Sequence, residues 1–165
     1  MQTLSHRRSW LRAACALTSL LCLPRVHAGA AARDPALPAP DALADELAQA
    51  LARQQPLVVM VSLPGCPFCR AVRASHLRPL QASGQAVVQI DLHDARLLRD
   101  FEGNAITQDA LARRWGVRVA PTVLFFGAGG REVARRLEGA YLPDFYGAYL
   151  DDQLAQARQA VAAQR

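Results

Sequence analysis

The chain has 165 residues, enough for one domain with a hydrophobic core. Its formal net charge of +5 favours a nucleic-acid partner only if every basic residue stays in the mature protein. Removal of an N-terminal segment with four arginines and no acidic residue would leave 15 basic against 14 acidic residues, and binding to nucleic acid would then have no support from charge.

The first 28 residues have the pattern of an export signal. Arg7, Arg8 and Arg12 precede a short apolar stretch that ends at Leu23, and residues 26–28 read Val-His-Ala, like a cleavage site. The apolar stretch is short for a bilayer span, which argues against the alternative of an N-terminal membrane anchor. We therefore expect a periplasmic protein, soluble after cleavage of residues 1–28. The paired arginines leave the Sec and twin-arginine routes both open.

Cleavage after Ala28 would also remove two of the four cysteines and leave Cys66 and Cys69. Exported proteins can keep disulfides, but this pair has no second pair with which to build a disulfide framework. A bridge between Cys66 and Cys69 closes a very small loop and adds little stability. The pair is therefore explained better by reactivity than by a structural role.

The segments that follow predict a linker and a first helix. Residues 29–40 are rich in Ala and Pro and predict a flexible linker. Residues 41–54 predict an amphipathic helix, because leucines recur at every fourth position behind Asp41, a possible cap. The domain is thus expected over residues 41–165.

A strand, a helix and a second strand come next. The apolar run 56–63 predicts a buried strand, which a Pro-Gly pair ends. Residues 67–81 predict a helix that is kinked or ended near Pro79. Residues 86–92 predict the second strand.

The rest of the chain completes an α/β pattern. Five segments follow: an irregular stretch with a short helical patch (93–106), a helix capped by Thr107 and stopped by Gly116 (107–115), a third buried strand (121–126), a fourth strand (131–139) and a closing helix (142–163). Helices between strands predict parallel pairing, with an antiparallel hairpin at the end. The predicted fold class is α/β, with a central mixed four-stranded sheet flanked by helices.

The sequence "CPFC" falls where the first strand turns into a helix. The free N–H groups and positive dipole end of that helix favour an anion, so a thiolate is expected at Cys66. Cys69 lies on the same helical face, and Pro67 suits the first helical position. We predict that Cys66 attacks a partner's disulfide and Cys69 resolves the mixed disulfide. Arg70 and Arg73 either add positive charge nearby or form a solvated helix face.

The strand-helix-strand unit with "CPFC", followed downstream by "GVRVAPTVLFF", a hairpin and a helix, resembles the thioredoxin superfamily over residues 41–163. The resemblance implies a thioredoxin-like fold in which Pro121 is cis and packs against the dithiol. It also implies that the backbone of Ala120 offers hydrogen bonds to an extended substrate segment. The substrate-binding residues that it implies are Pro67, Phe68, Ala120, Pro121 and Thr122.

Two stretches, "DFEGNAITQDALARRWGVRVAPTVLFF" and "GAYLPDFYGAYL", are similar to exported thioredoxins associated with bacterial sulfur oxidation. This similarity implies reduction of partner-protein disulfides in the periplasm, with electrons from a membrane thiol donor and no cofactor beyond the Cys66–Cys69 disulfide. No dimerisation domain precedes the predicted fold, which favours a monomer over a dimeric isomerase. The direction of electron flow, the partners and the reduction potential stay open, and a thiol oxidase of the same fold is the alternative.

The chain departs from cytosolic thioredoxins at Met60, six residues before Cys66. Those proteins carry a buried acid there, which assists proton transfer to the resolving cysteine. Met60 leaves Cys69 without that acceptor, so water or a partner group must serve. The Pro67-Phe68 dipeptide is also closer to the Pro-Tyr of glutaredoxins than to Gly-Pro. Both departures favour a dedicated partner or a more oxidising potential.

A copper- or zinc-binding carrier is the alternative from another functional class. The mature chain would hold four ligand-type residues: Cys66, Cys69, His76 and His93. Their spacing fits no common zinc pattern. His76 is expected as an ordinary helix residue and His93 as a loop residue, so no metal site is predicted.

Overall fold

A computed structural model describes residues 36–140 and 143–164. The predicted signal peptide, residues 1–28, and residues 29–35 of the predicted linker lie outside these ranges. The helices are α1 (Leu43–Ala52), α2 (Pro67–Val72), α3 (Arg78–Ala82), α4 (Gln108–Arg114) and α5 (Pro143–Ala163), with a π-helical turn, Arg73–Leu77, between α2 and α3. The strands are β1 (Leu57–Ser62), β2 (Val87–Asp91), β3 (Leu97–Arg99), β4 (Ala105–Thr107), β5 (Thr122–Gly127), β6 (Arg131–Glu132) and β7 (Leu137–Glu138).

The main sheet is mixed and has β1 and β5 at its centre. Its order is β2-β1-β5-β6, and β7 also pairs with β5. Strand β1 is parallel to β2 but antiparallel to β5, with Val61 opposite Thr122. The mixed sheet flanked by helices is confirmed, whereas the predicted parallel orientation of the third strand is wrong.

The reversed direction of β5 follows from its connection to β2. Strands β1 and β2 both end at one edge of the sheet, where Ser62 lies opposite Asp91. Strand β5 begins at that same edge, since Thr122 lies opposite Val61. The connection between β2 and β5 contains the β3–β4 hairpin and only a short helix, and it returns to the edge that it left. The start of β5 is thereby placed beside the turn that carries Cys66.

Two further segments differ from the prediction. The expected fourth strand is two short pieces, β6 and β7, which pair with opposite ends of β5 and so share one position in the sheet. The helical patch expected within residues 93–106 is wrong, because β3 and β4 pair there. The Asp100 carboxylate accepts the N–H groups of Glu102 and Asn104 and stabilises the turn between these strands in competition with a helix.

Helix ends are partly as expected. The Thr107 cap is confirmed, since its hydroxyl accepts the N–H of Ala110 at 3.2 Å. The Asp41 cap is wrong, because α1 begins after Ala42 and has no side-chain cap. The break near Pro79 takes the form of the π-helical turn, which ends just before α3. Proline has no N–H for the regular helical bond, and a π turn is one way to accommodate that loss.

The core has two layers, one on each face of the sheet. Alternate residues of β1 face opposite layers, as the period of a strand requires: Val59 and Val61 pack with α1 and α4, whereas Val58 and Met60 pack with α2 and α5. Cys69 belongs to the second layer, so the dithiol lies over the same face as Met60. No helix within the described ranges is long and apolar enough to cross a membrane.

The last part of the predicted linker packs against the domain. Leu37 is buried in the layer that contains Cys69, and the carbonyl of Pro38 accepts the N–H of Gln89 at 2.8 Å. A flexible linker is therefore wrong for residues 36–40. Leu37 and Pro40 are both buried, and an Ala/Pro-rich composition does not predict such contacts.

Candidate redox site at the start of α2

The geometry of the site begins with the turn that follows β1. Gly65 has a φ of 77°, a conformation that glycine adopts without strain, and the N–H of Cys66 donates to the carbonyl of Leu63 at 3.2 Å. Cys66 is the N-cap residue of α2, and Pro67 occupies the first turn. The strand, the Pro-Gly turn and the helix-compatible proline together place the Cys66 sulfur at the helix start.

The two sulfurs have different surroundings. Both cysteines are free thiols in this structure. The Cys66 Sγ is half-buried and accepts the N–H of Cys69 at 3.1 Å. The Cys69 side chain is only 1% exposed. An incoming disulfide therefore meets Cys66 first, and Cys69 lies behind it.

Burial changes the acidity of Cys69. Desolvation raises the pKa of its thiol from 9.0 to about 11, and a hydrogen bond with Cys66 adds to the increase. Hydrogen bonds from the Leu63 N–H and the Ser62 side chain act in the opposite direction. Deprotonation of Cys69 at neutral pH is thus unfavourable, and the donors around its sulfur govern how unfavourable it is.

A chain of polar side chains leads away from Cys69 into an open pocket of about 390 Å³ beside Cys66. Ser62 accepts from Arg73 Nη2 at 3.0 Å, and Arg73 Nε donates to Gln89 Oε1 at 2.8 Å. Gln89 Nε2 in turn donates to Asp91 Oδ1 at 2.8 Å. The interpretation of a solvated helix face is therefore wrong for Arg73, whereas it fits Arg70, which is exposed at the pocket.

The residues implied as substrate-binding lie on the two segments that meet at this edge of the sheet. Phe68 is 59% exposed on α2, next to the exposed Pro67. The Ala120–Pro121 peptide bond is cis, and Pro121 directly precedes β5. Thr122 is buried, and its hydroxyl donates to the carbonyl of Val119 at 2.7 Å. Within the described ranges, the backbone of Ala120 takes part in no backbone hydrogen bond.

Comparison with protein families identifies the domain. A family model described as a thioredoxin-like domain matches residues 43–154, more than half of the chain. The chain belongs to this thioredoxin-like family. No curated protein matches the chain significantly in sequence.

Solved structures of thioredoxins and of a thioredoxin-fold protein are similar to this chain. A thioredoxin from Thermus thermophilus has 22% identity and a TM-score of 0.52, with 78% of this chain and 91% of that chain covered. The periplasmic thioredoxin SoxS from Paracoccus pantotrophus, in its reduced form, has 23% identity and a TM-score of 0.41, with 62% and 99% covered. A thioredoxin-fold protein from Helicobacter pylori has 15% identity and a TM-score of 0.45, with 66% and 83% covered. The first of these likenesses shows the fold.

The histidines considered as metal ligands have other partners in this thioredoxin-like domain. The ring of His76 lies 5.2 Å from the ring of Tyr146, and the Nδ1 of His93 lies 3.5 Å from the Asp109 carboxylate. Among the residues that the structure describes, no three His, Cys, Asp or Glu side chains are grouped to hold a metal ion.

Sequence reasoning missed the partners of Cys69. Ser62 is the last residue of β1 and Gln89 is the middle residue of β2, and both are buried polar residues. A buried polar side chain needs a hydrogen-bond partner, so each of them was a signal that a polar neighbour lies across the strand. The neighbour that serves both is Arg73.

The pKa of Cys69 predicts how stability depends on pH. The folded dithiol form holds the Cys69 proton more tightly than the unfolded chain, so its contribution is complete below pH 9.0 and lost as the pH rises through about 11. Tyr146 should also lower the stability at high pH, because its pKa is raised in the folded state. The larger cause is burial, and the second is the charge of Cys69. Urea unfolding of the reduced protein should show stability falling above pH 9.0, and Cys69→Ala should flatten that fall. If stability fell as steeply with pH in Cys69→Ala as in the parent protein, the fall could not be due to the raised pKa of Cys69.

Proposed function

We propose that the protein is a periplasmic thiol–disulfide oxidoreductase that reduces disulfides of partner proteins through Cys66 and Cys69. The observation that carries the proposal is the contrast between the two sulfurs. Cys66 is half-exposed at a helix start, whereas Cys69 is buried and its backbone N–H donates a hydrogen bond to the Cys66 sulfur. That contrast suits an attacking and a resolving thiol. Family membership supports the same chemistry.

The surface beside the dithiol supports a protein partner. Phe68 and Val119 are apolar side chains that remain 59% and 38% exposed. The Ala120 backbone, with no backbone partner in the described ranges, is suited to pair with an extended segment. We propose that a partner's disulfide-bearing segment lies across the backbone of Ala120 and Pro121, with the exposed side chains of Phe68 and Val119 at its sides.

The cellular setting is proposed from the sequence. Residues 1–28 have the pattern of an export signal, and the similarity to exported thioredoxins favours a reductase fed by a membrane thiol donor. We propose that the mature protein acts as a monomer, with the Cys66–Cys69 disulfide as its only redox group. The competing direction is a thiol oxidase with the same cysteines.

The experiment separates these directions by trapping thiols. Acid quenching and alkylation of cells that express the chain should yield mostly the dithiol form in the periplasmic fraction. Cys66→Ser serves as the control for alkylation of Cys69 alone. A pair found as a disulfide at steady state would support the oxidase instead. In parallel, the purified mature protein should reduce insulin with dithiothreitol as electron source, and failure to do so would refute protein-disulfide exchange.

A further inference from the structure

The buried acid expected near the resolving cysteine of a thioredoxin is absent, since Met60 fills that position and is fully buried. Two residues later on the same face of β1, Ser62 is also fully buried, and its hydroxyl accepts a hydrogen bond from Arg73 Nη2 at 3.0 Å. A hydrogen bond from the same side chain lowers the pKa of Cys69 and so opposes the effect of burial. We propose that the Ser62 hydroxyl is a catalytic hydrogen-bond donor to the Cys69 sulfur and that Arg73 is the positioning residue that directs it. This inference rests on the proposed function.

The direction of the hydrogen bonds follows from the chemistry of the groups. A guanidinium can only donate, so the 3.0 Å contact from Arg73 Nη2 makes Ser62 Oγ an acceptor there. The single hydroxyl proton of Ser62 is then left for Cys69. The positive charge of the Arg73 guanidinium strengthens Ser62 as a donor.

Arg73 is itself held in place. Its Nε donates to Gln89 Oε1, whose amide is oriented by donation to Asp91 Oδ1. Gln89 is buried, and its register partner across the β1–β2 pair is Met60. A cation and a hydroxyl at this face therefore replace the carboxylate as the polar groups that serve Cys69.

The step that this arrangement assists is the second half of the exchange. In the mixed disulfide, Cys66 is bonded to a partner sulfur, and the Cys69 sulfur attacks Cys66 Sγ. The Cys66–Cys69 bond forms, the bond to the partner breaks, and the electron pair leaves with the partner sulfur, which takes up the proton released from Cys69. The cysteine pair is oxidised and the partner reduced by two electrons. Ser62 stabilises the Cys69 sulfur while that sulfur carries negative charge. The positive charge of Arg73 disfavours reprotonation of the Cys69 thiolate.

Among the described residues, few groups that face Cys69 can titrate or carry charge. Cys66 comes from its own helix, Tyr146 from α5, and Arg73 acts through Ser62. Met60 from β1 has no charge. Cys66 and Tyr146 are unchanged in the variants below, so a difference between these variants and the parent does not come from substitution of either residue.

The test follows release of coloured thiolate from Ellman's reagent mixed with an equal amount of reduced protein. The first release reports attack by Cys66, and the second reports attack by Cys69 on the resulting adduct. Ser62→Ala should slow the second release about ten- to a hundredfold, because it removes a hydrogen bond to a charged sulfur. The first release should change far less. Arg73→Gln should slow the second release in the same sense.

Two variants serve as matched controls. Ser62→Thr keeps a hydroxyl and should restore much of the second rate, which a simple packing defect would not explain. Arg70→Gln removes an equal charge from the same pocket without the contact to Ser62, and its effect on the second release should be much smaller. Second releases equally fast in the parent and in Ser62→Ala, or equally slowed by Arg70→Gln and Arg73→Gln, would overturn the inference.

A titration decides the inference independently of exchange activity. The Cβ carbon of Cys69, followed by NMR against pH, should titrate at higher pH in Ser62→Ala than in the parent, while the Cys66 carbon moves less. Coincident curves for Cys69 would overturn the inference, even in a protein that reduces disulfides normally. Failure of Cys66 to react with Ellman's reagent would refute the proposed function instead, and the Cys69 titration would still give its own answer.

Discussion

Cys66→Ser should reduce insulin only at the background rate of dithiothreitol, whereas Cys69→Ser should accumulate a covalent adduct with its partner. The reason is the unequal placement of the sulfurs: Cys66 is half-exposed at the start of α2, and Cys69 is buried behind it. With Ser at position 69, no thiol is left to attack the mixed disulfide. Intact-mass measurement on non-reduced samples gives the amount of adduct directly.

Cys66→Ser incubated with the same partner is the control for adduct formation. Its remaining thiol is 1% exposed and should form little adduct. Comparable adduct yields from both variants would mean that the partner reaches either sulfur, and the assignment of attacking and resolving roles would be wrong.

Met60→Asp should cost about 4 kcal/mol of unfolding free energy at neutral pH, because it places a carboxylate at a fully buried position in a central strand. The pKa of this buried carboxyl should lie above its usual value. Its proton is then held more tightly by the folded state, so the loss should be smallest at acidic pH and grow as the pH rises. Urea unfolding between acidic and neutral pH measures both effects. The new carboxylate would lie in the same layer as Cys69 and could accept its proton.

Met60→Leu is the matched control, since it keeps an apolar side chain of similar volume and should cost less than about 1.5 kcal/mol. It should also show the pH dependence of the parent protein. An Asp variant as stable at neutral pH as at acidic pH would show that the introduced carboxylate reaches water, which is incompatible with the burial of residue 60 described above.

The local features of the site could be predicted because they depend on neighbours in sequence. A β-branched run, a Pro-Gly break and a proline before Phe68 predict the strand-to-helix junction at Cys66, and the structure has that junction. The burial of Met60 was predictable for the same reason. Thr107 as a helix cap also depends only on residues within one turn.

The direction of β5 could not be predicted from alternating strands and helices. That pattern predicts parallel pairing, which would place Pro121 at the opposite edge of the sheet from Cys66. The antiparallel pairing of Val61 with Thr122 brings the two segments to one edge. The resemblance to thioredoxins implied this proximity, whereas the periodicity of the chain did not contain it.

The partners of Arg73 were equally out of reach of local patterns. Its contacts with Ser62 and Gln89 join a helical turn to two different strands, and such contacts depend on the packed arrangement of all three. The same holds for Leu37, whose burial depends on helices and strands far along the chain. From composition alone, Arg73 and the linker segment that contains Leu37 would be expected to be exposed to solvent.

The segment 36–40 also covers part of an outer strand of the main sheet. Strand β2 is an outer strand of the main sheet, and unpaired N–H groups on such a strand invite pairing with another molecule. The Pro38 carbonyl occupies one of these groups, and prolines at positions 38 and 40 offer no N–H of their own to an incoming strand. A shortened protein that starts at Asp41 would lose this cover and expose the pocket of Leu37, so it should be more prone to aggregate through β2 than one that keeps the segment.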